Sequence, residues 1–275
     1  MELKSEYVID LDKILRKKFP RIPGFLVRWI GKLVHIDFLN GFIGQGYQGV
    51  EFAQECVKYL KINLVVEGLE NIKADGTRYT FACNHPLGGA DAIALVKVMG
   101  ELFGENCRFP VNDFLMNIKG LSNLFIPVNK VGGQSRELAL GMEKAFASDA
   151  QIGTFPAGKC SRKIEGKIQD VAWGKSFITK SVQNNRQVVP CRFFGQNSKR
   201  FYRLDKIGKL LGMKFPLAMI LLPDELYRAQ GSTLRLFIGK PIPPEQFDNT
   251  KTPLQWAAEV RQMVYATEEN CFLFE

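Results

Sequence analysis

The sequence predicts an α/β protein: a mostly parallel, mixed sheet of about seven strands flanked by helices and preceded by an N-terminal helical segment. Three observations predict it. Short β-rich runs alternate with helix-period runs from Ile62 onward; helix-period runs alone fill the residues before it; and no internal repeat, low-complexity tract or linker breaks the remainder. The expected division is a basic, amphipathic helical segment over 1–61 and one domain over 62–275. At 275 residues, 46% hydrophobic and 24% charged, the chain is long enough to bury one large core with a helical appendage, and the composition excludes disorder.

Taking the elements in order, Pro23 can open a helix in which Phe25, Leu26, Trp29, Ile30, Leu33 and Val34 recur at helical spacing, with Arg28 and Lys32 between them. Lys13, Arg16, Lys17, Lys18 and Arg21 lie just upstream. A basic segment feeding an amphipathic helix that carries Trp suits an anionic membrane surface, and the same pattern also fits a helix packed on the domain. The candidate strands are Asn63–Glu67, Tyr79–Cys83, Cys107–Val111, Leu124–Asn129, Ile152–Phe155, Val188–Phe194 and Leu234–Ile238. Helical patterns run over Ala90–Phe103, Ser135–Ala147 and Pro253–Ala266.

The longest apolar stretch, Phe215–Pro223, is about half of the ~18–20 residues that cross a bilayer. It reads as a buried strand or as a surface meeting another apolar phase, so membrane contact is expected to be peripheral. The opening Met-Glu-Leu-Lys-Ser-Glu lacks the layout of a signal peptide, which places the chain in the cytoplasm, peripheral on the inner face of the cell membrane. Six scattered cysteines without a C-x-x-C pair, and only two histidines, read as reduced small hydrophobes rather than a zinc site. No metal and no organic cofactor are expected. The net charge of +9 favours anionic partners, whether lipid headgroups, phosphorylated substrates or nucleic acid. No nucleic-acid motif accompanies the charge, and nucleic acid is not expected as a partner.

The chemistry concentrates in Asn84-His85-Pro86-Leu87-Gly88-Gly89-Ala90-Asp91, which follows the strand Tyr79–Cys83 and enters a helix. Ligands of open α/β sheets bind at the carboxyl ends of strands, where His85 falls. An imidazole there can act as a general base, and Asp91 one turn onward can hold one ring nitrogen as N–H. The spacing alone is common. The Asn-His-Pro stop and the loop of Gly88 and Gly89, whose backbone can approach a substrate or an oxyanion, give it context. His35 is the rival base. Its sole sequence-local carboxylate is Asp37, and it reads as a residue that packs or snorkels.

A second element, Gly153-Thr-Phe-Pro-Ala-Gly158-Lys159-Cys160-Ser161-Arg162-Lys163, runs from a strand end into a turn with a burst of cations. Lys159, Ser161 and Arg162 suit an anionic headgroup or a pantetheine phosphate. Gly153-x4-Gly158-Lys159 matches a nucleotide-phosphate loop until Cys160 stands where a magnesium-binding hydroxyl belongs, and Pro156 and Gly166 also fit that loop poorly. No G-x-S-x-G elbow supports a serine hydrolase. Cys160 is a formal alternative nucleophile, which a thioester donor makes unnecessary.

Three ordered blocks, Asn-His-Pro…Asp91, Phe125-Ile-Pro-Val-Asn-Lys130 and Phe155-Pro-Ala-Gly158, resemble the glycerolipid acyltransferase superfamily, as does Val188-Val189-Pro190. Asn-His-Pro-Leu-Gly-Gly-x-Asp, Phe-Pro-Ala-Gly with Ser-Arg, Trp173-x-Lys175-x-Phe177, Leu222-Pro-Asp-Glu225 and Ile238-Gly-Lys-Pro-Ile242 are similar to its hemolysin-like branch, which includes O-acyltransferases of lyso-ornithine and lyso-glycine lipids. The resemblance covers nearly the whole chain. It implies a glycerol-3-phosphate acyltransferase-like fold, with His85 as base and Asp91 as its orienter. It also implies a substrate pocket that includes Asn84, Gly88, Gly89, Asn129, Lys130, Phe155, Pro156 and Gly158, with Lys130 where the wider family has a phosphate-binding arginine.

The implied reaction moves a fatty acyl group from acyl carrier protein or acyl-CoA to the hydroxyl of a lyso-lipid. Five residues separate His85 from Asp91 where the wider family has four, Ala157 replaces a glutamate, and Lys159-Cys160 replaces Thr-Arg. These departures favour a lyso-amino-acid lipid, ornithine or glycine, over the alternative acceptor, 1-acylglycerol 3-phosphate. The alternative of another class is a non-catalytic lipid-binding protein, against which the intact His85/Asp91 pair stands.

Overall fold

The computed structural model describes residues 6–128, 136–213 and 217–267. Four helices come first: α1 (Leu11–Lys18), α2 (Gly24–Leu33), α3 (Ile36–Ile43) and α4 (Gly49–Tyr59). There follow β1 (Asn63–Glu67), β2 (Tyr79–Cys83), α5 (Gly89–Phe103), β3 (Cys107–Asn112), β4 (Phe125–Val128), α6 (Arg136–Ala147) and β5 (Gln151–Thr154). Next are β6 (Arg162–Ile164), β7 (Lys167–Gln169), α7 (Ser176–Gln183), β8 (Gln187–Phe194), α8 (Lys199–Leu210), α9 (Leu222–Arg228), β9 (Thr233–Ile238) and α10 (Pro253–Ala266).

Seven strands form one sheet in the order β1-β9-β8-β2-β5-β3-β4. All neighbours are parallel except β8 and β9, so the expected mixed, mostly parallel sheet is what the chain builds. Prolines inside strands sit where a ladder lapses. Pro127 lies on the edge strand β4, and Pro110 lies beyond Arg108, where pairing of β3 with β5 ends. Pro190 pairs with Ala82 but precedes Cys191, where the β8–β9 ladder begins.

The main core runs through the sheet into the N-terminal helices, where Phe42, Phe52, Ala53, Val57 and Leu60 join Phe81, Leu95, Met99 and Leu236. A second core on the opposite side gathers Trp173, Phe177, Ile178, Trp256 and Val260 of α7, α10 and the segment before α7. Arg186 is fully buried and donates to the carbonyls of Phe146, Tyr79, Ala150, Ala145 and Ser148. Burial lowers its pKa to about 10, and these five acceptors tie the end of α6 to the starts of β2 and β8.

Two local expectations need correction. The cation-rich stretch after Gly158 is not all loop, because Arg162–Ile164 and Lys167–Gln169 pair as an antiparallel hairpin. Of the two readings of the apolar stretch 215–223, the buried strand is replaced by a 3₁₀ turn at Leu217–Leu221 running into α9, with Phe215 outside the described residues.

Candidate active site

β2 is buried along its whole length at the middle of the sheet, and its carboxyl end opens the site. Ala82 of β2 lies opposite Thr154 of β5, so the residues just past each strand, Asn84-His85 and Phe155-Pro156, emerge side by side. The rings of His85 and Phe155 stack with centroids 4.0 Å apart. Gly158 N–H closes the following turn on the Phe155 carbonyl at 2.8 Å, and Gly174 N–H donates to the Pro156 carbonyl at 3.0 Å.

α5 starts at Gly89, which puts Asp91 at its third position, fully buried. One carboxylate oxygen, Oδ2, accepts from the N–H groups of Leu87 at 2.8 Å and Gly88 at 3.2 Å. Its Oδ1 lies 2.9 Å from Nδ1 of His85, and neither atom has another hydrogen-bond partner. A carboxylate only accepts, so the proton of this contact sits on Nδ1 and leaves Nε2 to receive one. Burial opposes the charged imidazole, but Asp91 outweighs it, with Cys160 adding in the same direction, and the His85 pKa rises well above its usual 6.5. The side chain of His85 remains 16% exposed, and the Cys160 thiol also lies within hydrogen-bond reach of its ring.

Gly88 has φ of +79°, and a β-carbon there would stand 3.0 Å from Cys160 Sγ and from Leu222 Cδ2. Glycine is therefore required both by the backbone and by the close approach of two segments. At Gly89, Leu226 takes the same covering role. Gly153 explains why the phosphate-loop spacing is empty of meaning here: a β-carbon would come within 2.3 Å of Phe109, so this glycine serves sheet packing.

A buried carboxylate absent from the sequence reading holds the site's frame. Asp170 accepts from His85 N–H at 3.2 Å, from Ser161 Oγ at 2.6 Å and from Trp173 Nε1 at 2.9 Å. Ser161 N–H in turn donates to the His85 carbonyl at 2.7 Å, and Tyr265 OH accepts from Asp170 N–H. The one local signal for it was the neighbouring Trp173-x-Lys175-x-Phe177 block.

Three expected substrate contacts are framework residues. Asn84 is buried, and its amide both donates to the Phe193 carbonyl at 2.8 Å and accepts from Phe193 N–H at 2.6 Å, which extends β2 against β8. Ser161 is buried with its hydroxyl on Asp170. Arg162 is buried too, with Nε 2.9 Å from Asp205 Oδ1 and Nη1 on the Cys160 carbonyl. None of the three has its polar group free for a headgroup. Lys159 is exposed. Asn129 and Lys130 lie outside the described residues.

The rival histidine also finds a carboxylate, far from it in sequence. His35 Nε2 lies 2.8 Å from Asp224 Oδ1, and its ring stacks on Tyr227 with centroids 3.7 Å apart. It packs between helices, as the sequence led one to expect, with Asp224 rather than Asp37 as its partner.

The chain is similar to known proteins along nearly its whole length. A family model described as "Acyltransferase" matches residues 13–273. A lyso-glycine lipid O-acyltransferase of Phocaeicola vulgatus is 46% identical over 267 residues, covering 95% of both chains. A second, of Bacteroides thetaiotaomicron, is 44% identical and covers 95% of this chain and 98% of that one. Among solved structures, the 1-acyl-sn-glycerophosphate acyltransferase PlsC of Thermotoga maritima aligns over 93% of this chain and 87% of its own, at 18% identity and a TM-score of 0.48.

Proposed function

The chain belongs to the acyltransferase family, and from that premise we propose that it moves a fatty acyl group from a thioester to the hydroxyl of a lyso-amino-acid lipid, with lyso-glycine lipid as the favoured acceptor. The observation that carries the chemistry is His85 held 2.9 Å from a buried Asp91 whose second oxygen is occupied by backbone N–H groups. The acceptor rests on the two relatives, which match along almost the whole chain.

In this mechanism Nε2 of His85 takes the acceptor's hydroxyl proton as its oxygen attacks the thioester carbonyl. Asp91 stabilises the imidazolium. Collapse of the tetrahedral intermediate forms the ester and expels the thiolate of acyl carrier protein or coenzyme A, which recovers the proton from His85. The N–H groups of Gly88, Gly158 and Ser161 already have acceptors, so they do not form the oxyanion site. That role falls to the first-turn N–H groups of Gly89 and Ala90, for which an α-helix supplies no acceptor of its own. Phe155 fixes the plane of the imidazole, and Lys159 is the exposed cation of the adjoining turn.

Among the described residues no helix is long and apolar enough to cross a membrane. We place the protein peripherally on the inner face of the cell membrane through α1 and α2. Phe25 and Trp29 are 67% and 59% exposed, whereas Ile30 is half-buried, so Phe25 is the outward neighbour of Trp29.

The test offers purified protein an acyl carrier thioester and acyl-CoA with lyso-glycine lipid, lyso-ornithine lipid and lysophosphatidate, and weighs the products by mass spectrometry. The mono-acylated glycine lipid should gain one acyl group. Preferred acylation of lysophosphatidate would overturn the acceptor, and no acylation of any lyso-lipid would overturn the reading.

A further inference from the structure

The face that α2 turns outward recurs on α8. On α2, Phe25, Arg28, Trp29 and Lys32 follow the i, i+3, i+4, i+7 spacing of one helical face, and all four are exposed. On α8 the same spacing gives Arg203, Lys206, Ile207 and Leu210, again all exposed. The opposite side of α8 is buried through Phe201, Tyr202, Asp205 and Gly208, so the helix is firmly docked while, among the described residues, its outer face has no apolar cover. The exposure is large at its end: 49% for Ile207, 83% for Leu210, 66% for Leu211 and 43% for Met213. Ile220, 37% exposed, lies in the 3₁₀ turn packed on α8.

Exposed aliphatic side chains that follow one another on a single face mark an interaction surface, where apolar residues scattered singly do not. Arg203 and Lys206 stand one turn back from it, where cations meet headgroups when the aliphatic tip enters the acyl layer. We propose that the end of α8 is a second membrane-docking element which, together with α2, seats the protein on anionic phospholipid. This rests on the membrane reading given above for α2 and extends it to a second point of attachment.

The element is coupled to the site. Leu33 at the end of α2 packs into the cluster of Cys160, Phe201, Tyr202, Ala218 and Leu221, and Leu222 joins it as well. Cys160 and Leu222 are the residues that close on Gly88. Arg162, paired with Asp205, ties the β6–β7 hairpin after Gly158 to the inner face of α8. Two docked helices fix an orientation where one leaves rotation about its axis, and both adjoin the cluster that borders His85. A lyso-lipid acceptor can then keep its acyl chain in the leaflet while its hydroxyl reaches Nε2.

The experiment measures co-flotation of the full-length protein with phosphatidylglycerol and phosphatidylcholine vesicles, and its sedimentation without lipid. Leu210→Asp/Leu211→Asp should lower partition into phosphatidylglycerol vesicles at least about ten-fold while keeping the wild-type Tm, since both side chains are solvent-facing. Arg203→Ala/Lys206→Ala should weaken binding to phosphatidylglycerol at low salt and leave the phosphatidylcholine baseline unchanged. Wild-type partition of the two-leucine variant, alongside lost partition of Phe25→Asp/Trp29→Asp, would overturn the α8 element and leave the α2 reading standing. If neither pair alters partition, both readings fall. A wild-type dimer that the leucine pair dissolves with no change in vesicle binding would also overturn the proposal, assigning the face to a second copy of the chain.

Discussion

His85 and Asp91 approach to 2.9 Å and His35 and Asp224 to 2.8 Å, so distance does not separate the two pairs. What separates them is everything else each carboxylate touches. The second oxygen of Asp91 meets only neutral backbone N–H groups, which leaves its charge directed at the imidazole. The second oxygen of Asp224 meets Arg228 Nε at 2.8 Å and Arg200 Nη1 at 3.7 Å, so two cations draw on the same carboxylate. Surroundings differ as sharply. Both rings stack on an aromatic neighbour, but His85 stands at the end of a central strand beside a glycine loop, whereas His35 joins α9 to the N-terminal helices. We assign the base to the pair whose acid has no other cation to serve, and structure to the pair whose acid is shared with two arginines.

The largest effect expected from this contrast is on turnover. His85→Ala should lower kcat/KM for acyl transfer about 10²–10⁴-fold, and Asp91→Asn should fall within a similar range through loss of the Nδ1–H tautomer. Circular dichroism should show both variants folded. His35→Ala serves as the control, with kcat/KM close to wild type. Near wild-type turnover in His85→Ala would remove His85 from the chemistry, and an equal loss in His35→Ala would erase the distinction between the pairs.

The next effect is on pH dependence. The His85 pKa lies well above 6.5, and the base must be neutral, so activity should rise with pH along a limb centred above that value. In Asp91→Asn the burial that disfavours imidazolium remains while the carboxylate that favours it is gone. The limb should therefore move to lower pH even as the rate drops. A limb that stayed in place would mean that another group controls it.

The sequence revealed the first pair and concealed the second for one physical reason. His85 and Asp91 are bound into one strand–loop–helix unit, which local spacing describes. His35 and Asp224 meet through packing of α9 on helices at the other end of the chain, which no spacing encodes. The strands were legible in the same way, since their β-rich runs are bounded by turns, while the β6–β7 hairpin hid among cations. Asn84, Ser161 and Arg162 were read as substrate contacts because a polar residue beside a reactive one looks the same whether it faces ligand or frame. Burial decides between these roles, and burial is a tertiary property. Asp170 escaped notice because its donors come from separate segments, His85, Ser161 and Trp173.

A smaller effect concerns stability. Burial pushes the Asp224 carboxyl up, but Arg228, His35 and Arg200 outweigh it and hold the pKa below 3.8. A carboxylate depressed in the folded state stabilises the protein above its unfolded pKa, and that contribution disappears as pH falls through the folded value. Asp224→Asn should therefore lower the unfolding free energy by about 1–3 kcal/mol at neutral pH, with the gap to wild type closing in acid below about pH 4. Denaturant titrations across that range check it. A gap independent of pH would show that packing of α9, not the charge, is what the substitution disturbs.

The smallest effect isolates what His35 contributes to its pair. His35→Phe keeps an aromatic ring to stack on Tyr227 and removes the hydrogen bond to Asp224, which still has Arg228 and Arg200 for partners. The cost should be about 1–2 kcal/mol, measured by denaturant unfolding, because Asp224 Oδ1 loses its donor while the two arginines on Oδ2 still balance the carboxylate charge. The corresponding change at His85 leaves Asp91 Oδ1 buried with nothing to accept from, since backbone N–H groups reach only Oδ2. His85→Phe should accordingly be the more destabilising of the two as well as inactive, since no arginine balances the Asp91 charge. Equal losses in the two variants would mean that Asp91 has found another donor, and the isolation argued for its charge would not hold.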